Sequence, residues 1–197
     1  GSTIAYVIDA LAKRVTEDGL HIIGVPTSER TWRVAAHAGI PMHSVDDVDH
    51  IDITIDGADQ IDPNFVGIKG GGAALLWEKV VARNSKRNVW VVDESKMVET
   101  LTFYLPIEVI PYGSGQLFRR FERLGYKPTW RLDQIGNAVK TDSGNYLIDL
   151  HFAEIKNPAE LSTKLLNMVG VIEHGLFLDV VDQVVVGTSD QVELVDV

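Results

Sequence analysis

The segment IKGGGAALLWEK, residues 68–79, combines residue types that chemistry on an anionic substrate requires. Lys69 supplies a positive charge, and Gly70, Gly71 and Gly72 open what reads as an apolar helix that carries one carboxylate, Glu78. Helix N-termini bind anions through their free N–H groups, and glycine lets a ligand approach the backbone closely. The segment therefore predicts an anion-binding helix N-terminus with a candidate general base inside the helix.

Glu78 has no charged partner on its own helix. The positions three and four residues away are all apolar, so no i,i+4 ion pair can form: Ala74, Leu75, Val81 and Ala82. A carboxylate among small apolar residues loses hydration, and desolvation raises a carboxylate pKa toward that of a useful general base. Spacing alone leaves two interpretations open, a catalytic carboxylate and a partner in a tertiary salt bridge.

Further polar groups follow predicted strands, and ligands in open α/β sheets bind beyond the carboxyl ends of strands. These groups are Thr27-Ser28, Asp56-Gly57-Ala58-Asp59 and Asp93-Glu94-Ser95-Lys96. A second helix N-terminus is predicted at Gly1, Ser2 and Thr3, and it would also attract an anion. Lys69 and Lys96 could add positive charge for a phosphate or a sugar oxyanion.

Several common sites are absent from the sequence. The glycines are not followed by Lys-Ser or Lys-Thr, and GxGxxG does not occur, so no nucleotide fingerprint is present. Asp56 and Asp59 form a candidate carboxylate pair, although Asp-Gly-x-Asp alone favours ordinary turn chemistry. DGADQIDPN lacks the EF-hand glycine and glutamate, and the histidines show no metal-ligand spacing, so no metal site is predicted.

Composition excludes some classes of protein. Of the 197 residues 45% are hydrophobic and 23% charged, as in globular proteins, and no apolar run approaches the roughly 18 residues of a membrane span. A net charge of −10 argues against broad nucleic-acid binding. The absence of cysteine and of a recognisable secretory signal fits a cytoplasmic protein.

The first half of the chain alternates helix and strand. Helical spacing runs from Ile4 to Val15, a strand ends at Val25, and a helix follows from Thr27 or Ser28 to Ala38. An alternating strand at residues 51–56, the glycine-led helix and a strand at residues 89–92 come next. This order predicts an α/β fold, a Rossmann-like parallel sheet with helices on both faces.

The second half follows another order. Strands are predicted at residues 107–110, 127–132, 146–152 and 171–174, with helices at residues 114–124 and 159–168. The succession β-α-β-β-α-β predicts a ferredoxin-like α+β domain. The tail from Asp182 reads as a strand pair that returns to the first sheet. The expected domains are residues 1–105 with about 179–197, and residues 106–178.

Six motifs together resemble type A ribose-5-phosphate isomerase. They are GST, GVPTS, TIDGADQIDPNF, IKGGGAALLWEK, VVDESK and LPIEVIPYG, which occur in the family's order at similar intervals. Each motif alone is weak, but six in register are specific. The resemblance covers essentially the whole chain, including the ferredoxin-like domain.

This resemblance implies an isomerase without cofactor or metal, which interconverts ribose 5-phosphate and ribulose 5-phosphate through an enediol in the non-oxidative pentose phosphate pathway. Glu78 matches the family's general base, which moves a proton between C1 and C2. The groups that hold the open-chain sugar and stabilise the enediolate oxygen match Asp56, Asp59, Lys69 and Lys96. The remaining substrate-binding positions, including those for phosphate, match Gly1, Ser2, Thr3, Gly57, Ala58, Gly70, Gly71 and Gly72. A homodimer or a higher homo-oligomer is also implied.

The chain departs from the family pattern in three places. The family's first motif is Gly-Thr-Gly-Ser-Thr after a helix, and this chain begins at the final Gly-Ser-Thr, without the threonine that contacts substrate. Trp77 stands where a charged residue is common, and Gln60 replaces a common glutamate; neither has an assigned role.

Two other classes compete with the isomerase. One is a sugar-phosphate-sensing effector domain of the same fold, which would carry a helix-turn-helix that the sequence does not show. The other is an aminosugar-phosphate deaminase or a CoA transferase, which would need different catalytic motifs.

Overall fold

The computed structural model describes residues 2–197 as a mixed α/β protein. Its α-helices are α1 (Ser2–Thr16), α2 (Glu29–His37), α3 (Leu75–Arg83), α4 (Ser114–Arg123) and α5 (Pro158–Leu166). Its strands are β1 (Thr54–Asp56), β2 (Gln60–Ile61), β3 (Gly67–Ile68), β4 (Asn88–Asp93), β5 (Leu105–Val109), β6 (Pro128–Trp130), β7 (Tyr146–Leu150), β8 (Val171–His174), β9 (Leu176–Phe177), β10 (Gln183–Gly187) and β11 (Val192–Asp196). Short 3-10 turns lie at Val45–Asp47 and Glu94–Lys96.

The chain divides into two compact units. Unit one contains Gly1–Gly57, Trp77–Glu94 and Val180–Val197, and unit two contains Ala58–Leu76 and Ser95–Asp179. The domain boundaries expected from the sequence remain a prediction. Residues 58–76 and 95–105, which were expected in the first domain, belong to compact unit two. No helix within residues 2–197 has the length and hydrophobicity needed to cross a membrane.

Unit one contains a sheet in the order β1-β4-β10-β11. The first three strands are parallel and β11 is an antiparallel edge. The central strand β4 buries four of its six residues, as expected for a parallel strand inside a sheet. Helix α2 begins where predicted, because the Ser28 side chain accepts a hydrogen bond from the Thr31 N–H at 3.0 Å.

Unit two contains a four-stranded antiparallel sheet in the order β6-β7-β5-β8 and a three-stranded sheet in the order β2-β3-β9. The elements β5, α4, β6, β7, α5 and β8 follow the predicted β-α-β-β-α-β succession, so the ferredoxin-like prediction is confirmed. Alternate residues of β5 and β7 pack against α4 and α5 in one core, formed by Leu105, Ile107, Val109, Leu117, Phe121, Ile148, Leu150 and Leu165.

Three local predictions were wrong. The strand predicted to end at Val25 is only an isolated bridge between Gly24 and Met42, and the predicted strand at residues 51–56 is continuous only from Thr54. The helix predicted to open at Gly70, Gly71 and Gly72 begins at Leu75. The reason is conformational: Gly70 has φ +101° and Ala73 has φ +66°, which no right-handed helix contains.

The core of unit two provides a direct test of the fold. Leu150 is 0% exposed within this core, whereas Leu132 in the same unit is 54% exposed. We expect Leu150→Ala to lower the free energy of unfolding by about 2–5 kcal/mol, because it removes apolar contacts and leaves a cavity. Leu132→Ala should change it by less than about 0.5 kcal/mol. Equilibrium urea unfolding measures both, and equal losses would contradict the packing described.

Candidate active site

Asp59 is fixed by both its backbone and its side chain. It immediately precedes β2, and its N–H donates to the carbonyl oxygen of Ile68 at 2.8 Å. The carboxylate Oδ2 accepts a hydrogen bond from the Gly71 N–H, also at 2.8 Å. The pairing of β2 with β3 therefore delivers the Asp59 carboxylate to the glycine segment, residues 70–72.

Lys69 leaves the end of β3 and is only 3% exposed. Its backbone N–H donates to the Gly175 carbonyl oxygen at 2.8 Å, which ties it to the strand β9 side of the sheet. The ammonium lies 5.3 Å from the ring centroid of Phe177, a favourable cation–π distance. Gly175 was not singled out from the sequence, yet a Cβ there would overlap the Lys69 carbonyl oxygen.

The glycine segment forms a tight turn before α3. The Ala73 N–H donates to the Gly70 carbonyl oxygen at 3.0 Å and closes the turn. A Cβ added to Gly70 would lie 2.9 Å from Leu75, and one added to Gly71 would lie 2.8 Å from Asp59 Oδ1. Gly72 is exposed, and a Cβ there would meet nothing within 4 Å. Gly70 and Gly71 are therefore required by close packing, whereas Gly72 borders open space.

Lys96 also lies beside this part of unit two. It ends a 3-10 turn, and the next residue, Met97, forms a parallel bridge with Ile61 of β2. This register places the Lys96 backbone beside the start of β2. Asp59 is the residue that immediately precedes β2. Unit two thus collects Asp59, Lys69, Lys96 and the glycine segment around the ends of two short strands.

The other predicted residues fall in unit one, apart from Ala58, which begins unit two. Asp56 ends β1, and its Oδ1 accepts a hydrogen bond from the Gly57 N–H at 2.8 Å. Glu78 lies in the first turn of α3, half-buried, with its Oε2 atom fully buried. Thr3 lies half-buried in the first turn of α1. Gly1 and the Ser2 side chain lie outside the described residues.

Sequence reasoning missed three residues beside the glycine segment. Arg131 follows β6 and forms a two-pronged ion pair with Asp149, and its guanidinium lies 5.3 Å from the ring centroid of Tyr104. Burial raises the pKa of Tyr104; the Arg131 charge opposes this effect, and the carboxylates of Asp149 and Asp59 add to it. No local pattern around Arg131 predicts that it lies beside the glycine segment.

The buried histidine of unit two has a defined hydrogen-bond pattern. His174 is 2% exposed, its Nδ1 accepts from the Leu176 N–H at 3.2 Å, and its Nε2 lies 2.8 Å from Ser162 Oγ. The accepting Nδ1 implies that Nε2 carries the proton. Within residues 2–197 no group of three or more histidines and carboxylates is placed to hold a metal ion.

Comparison with known proteins gives consistent matches over the chain. The family model of Ribose 5-phosphate isomerase A (phosphoriboisomerase A) matches residues 23–191. A protein named Ribose-5-phosphate isomerase A from Bifidobacterium adolescentis is 56% identical over 197 residues, which are 100% of this chain and 85% of the relative.

Solved structures agree with the fold. Ribose 5-phosphate isomerase A from Methanocaldococcus jannaschii has a TM-score of 0.94 at 36% identity, covering 100% of this chain and 88% of its own. A D-ribose-5-phosphate isomerase in complex with phospho-erythronic acid has a TM-score of 0.96 at 38% identity, with the same coverage.

The two neighbouring glycines form a matched pair for mutation. We expect Gly71→Ala to destabilise the protein by about 1–3 kcal/mol, because the new methyl group displaces Asp59 from the partly buried Gly71 N–H. Gly72→Ala should change the free energy of unfolding by less than about 1 kcal/mol, because space is open there. Equal thermal unfolding midpoints for the two variants would contradict this geometry.

Proposed function

Because the chain belongs to the ribose 5-phosphate isomerase A family, we propose that it interconverts D-ribose 5-phosphate and D-ribulose 5-phosphate through an enediol. One observation carries the proposal: similarity at 56% identity extends over the whole chain. The five charged residues selected from the sequence lie within the matched residues 23–191: Asp56, Asp59, Lys69, Glu78 and Lys96.

Glu78 is the proposed general base. As a carboxylate it takes the proton from C2 of the open-chain aldose, and as the acid it returns a proton to C1, which gives the ketose. The hydroxyl proton moves from O2 to O1 in the same sequence, so the atoms balance within one molecule. General acid–base catalysis of this kind contributes about 10²–10⁴-fold to a rate.

The developing enediolate needs a positive charge held in advance. Lys69 and Lys96 are the proposed donors to its oxygen, and Asp56 and Asp59 are proposed to hold the hydroxyl groups of the sugar. The position of Lys69 supports this assignment, because its side chain is buried and lies against the Phe177 ring. A donor fixed before the reaction stabilises charge without the cost of reorganisation.

The substrate's phosphate and polar groups require backbone donors. We assign these to the glycine segment, Gly57, Ala58, and Gly1, Ser2 and Thr3. Phospho-erythronic acid, the ligand of one solved relative, carries a phosphate and a carboxylate. A carboxylate is a planar, delocalised anion and therefore resembles an enediolate, which supports the same combination of donors in this chain. Hydrogen moves within a single substrate, so the proposed reaction requires no redox cofactor.

We also propose that the protein is a cytoplasmic homodimer or higher homo-oligomer. The large apolar side chains that unit two exposes include Tyr112 at 91% and Val169 at 95%, beside the backbone hydrogen bond from Ile110 to Gly170. Burial of such side chains stabilises association. The cysteine-free composition is compatible with a reducing compartment.

Light scattering of the purified protein should give at least twice the 21.7 kDa chain mass, and a monomer would contradict the assembly proposed.

Glu78→Gln tests the proposed base. We expect kcat for ribose 5-phosphate isomerisation to fall by about 10²–10⁴-fold, with binding of phospho-erythronic acid retained, because the amide cannot accept the C2 proton. Glu122→Gln, which changes an exposed glutamate of α4, is the matched control and should retain wild-type kcat. The wild-type rate should also persist in EDTA.

Two results would overturn this assignment. A Glu78→Gln variant that keeps most of its turnover would show that the base lies elsewhere. A wild-type protein that binds ribose 5-phosphate without turning it over would favour the sugar-phosphate-sensing alternative.

A further inference from the structure

The guanidinium of Arg131 makes more contacts than an ion pair requires. Its Nε donates to Asp149 Oδ2 at 2.9 Å, and Nη2 donates to Asp149 Oδ1. The third nitrogen, Nη1, donates to the carbonyl oxygens of Gly70 at 2.7 Å and Gly71 at 3.2 Å. These glycines lie 61 and 60 residues away in the sequence. Both partners of the ion pair are nearly buried, at 13% and 11% side-chain exposure.

These contacts fix the orientation of the glycine segment. The peptide between Gly70 and Gly71 is planar and trans, so its C=O and N–H point in opposite directions. Arg131 holds the oxygen side of this peptide, and the Asp59 carboxylate holds the hydrogen side at 2.8 Å. The peptide therefore cannot rotate without loss of a charge-assisted hydrogen bond.

The next peptide determines which donor faces the substrate. Arg131 also binds the Gly71 carbonyl oxygen, so by the same planar geometry the Gly72 N–H points away from Arg131. Gly72 is exposed, and a Cβ added there would meet nothing within 4 Å. Arg131 thus orients the Gly72 N–H, a donor assigned above to substrate binding.

We propose that Arg131, braced by Asp149, is a positioning residue that orients the backbone donors of the glycine segment for the sugar phosphate. This inference rests on the proposed function for the identity of the ligand. Arginine is required because its planar fork serves a carboxylate and two carbonyl groups at once. Lysine keeps the charge but cannot make the bidentate contact with Asp149 while it binds both carbonyl oxygens.

Arg131→Lys is the main test, with Thr141→Val as the control. Thr141 lies in the same unit, is 8% exposed and donates to Glu108 at 2.7 Å, with no part in the glycine segment. Both variants should lower the unfolding temperature. We expect Arg131→Lys to raise KM for ribose 5-phosphate and Kd for phospho-erythronic acid roughly tenfold or more, with a smaller change in kcat, because donors shared by ground and transition states are displaced. Thr141→Val should leave KM and Kd within about twofold of wild type.

A second measurement does not depend on activity. Amide hydrogen exchange of ligand-free protein should become roughly tenfold faster in the peptide covering residues 68–76 in Arg131→Lys, because hydrogen bonds that restrain the segment are lost. The same peptide should exchange at the wild-type rate in Thr141→Val. If Arg131→Lys does not fold, Asp149→Asn retains the side-chain shape and should change exchange and Kd in the same direction by a smaller factor.

The outcomes separate this inference from the proposed function. Unchanged exchange in residues 68–76, together with KM and Kd equal to those of Thr141→Val, would reduce Arg131 to a structural ion pair and overturn the inference. Wild-type protein that neither binds phospho-erythronic acid nor isomerises ribose 5-phosphate would overturn the proposed function. In that case the exchange rates still decide whether Arg131 orients the segment.

Discussion

The peptide between Gly70 and Gly71 is held from both sides by charged groups, and the orientation of the glycine segment in unit two depends on this restraint. Arg131 binds its oxygen and Asp59 binds its N–H. A planar peptide transmits any movement of one side to the other. Side chains are excluded because a Cβ at either glycine would collide with Leu75 or Asp59. Glycine is therefore required at both positions, because Leu75 and Asp59 lie too close to the backbone for a side chain.

The same short strands also place charge. Strand β3 lies between β2 and β9, so the residue after it, Lys69, is buried against Phe177 and fixed at its backbone by Gly175. The residue before β2, Asp59, faces the glycine segment. A positive charge, a carboxylate and oriented N–H groups are thus held in place by the protein's own contacts. Preorganisation of this kind lowers the barrier to a reaction that develops negative charge on oxygen.

Local pattern predicted the elements better than their ends. Alternating apolar residues located β1, and the β-α-β-β-α-β order followed from the spacing of short strands and amphipathic helices. The glycine segment was predicted as helix because neither the left-handed conformation of Gly70 nor that of Ala73 can be read from composition. Arg131 was missed for a different reason: its glycine partners lie at least 60 residues away, and no local periodicity reports a tertiary hydrogen bond.

The central claim is that Glu78 moves a proton between C1 and C2 of an open-chain pentose phosphate. The most direct measurement is NMR detection of deuterium incorporated at these carbons when the protein acts on ribose 5-phosphate in D2O. We predict that wild-type protein incorporates solvent deuterium during turnover. The Glu78→Gln variant should incorporate it at least about 10²-fold more slowly. A Glu78→Gln variant that turns over ribose 5-phosphate and incorporates deuterium at the wild-type rate would contradict the account.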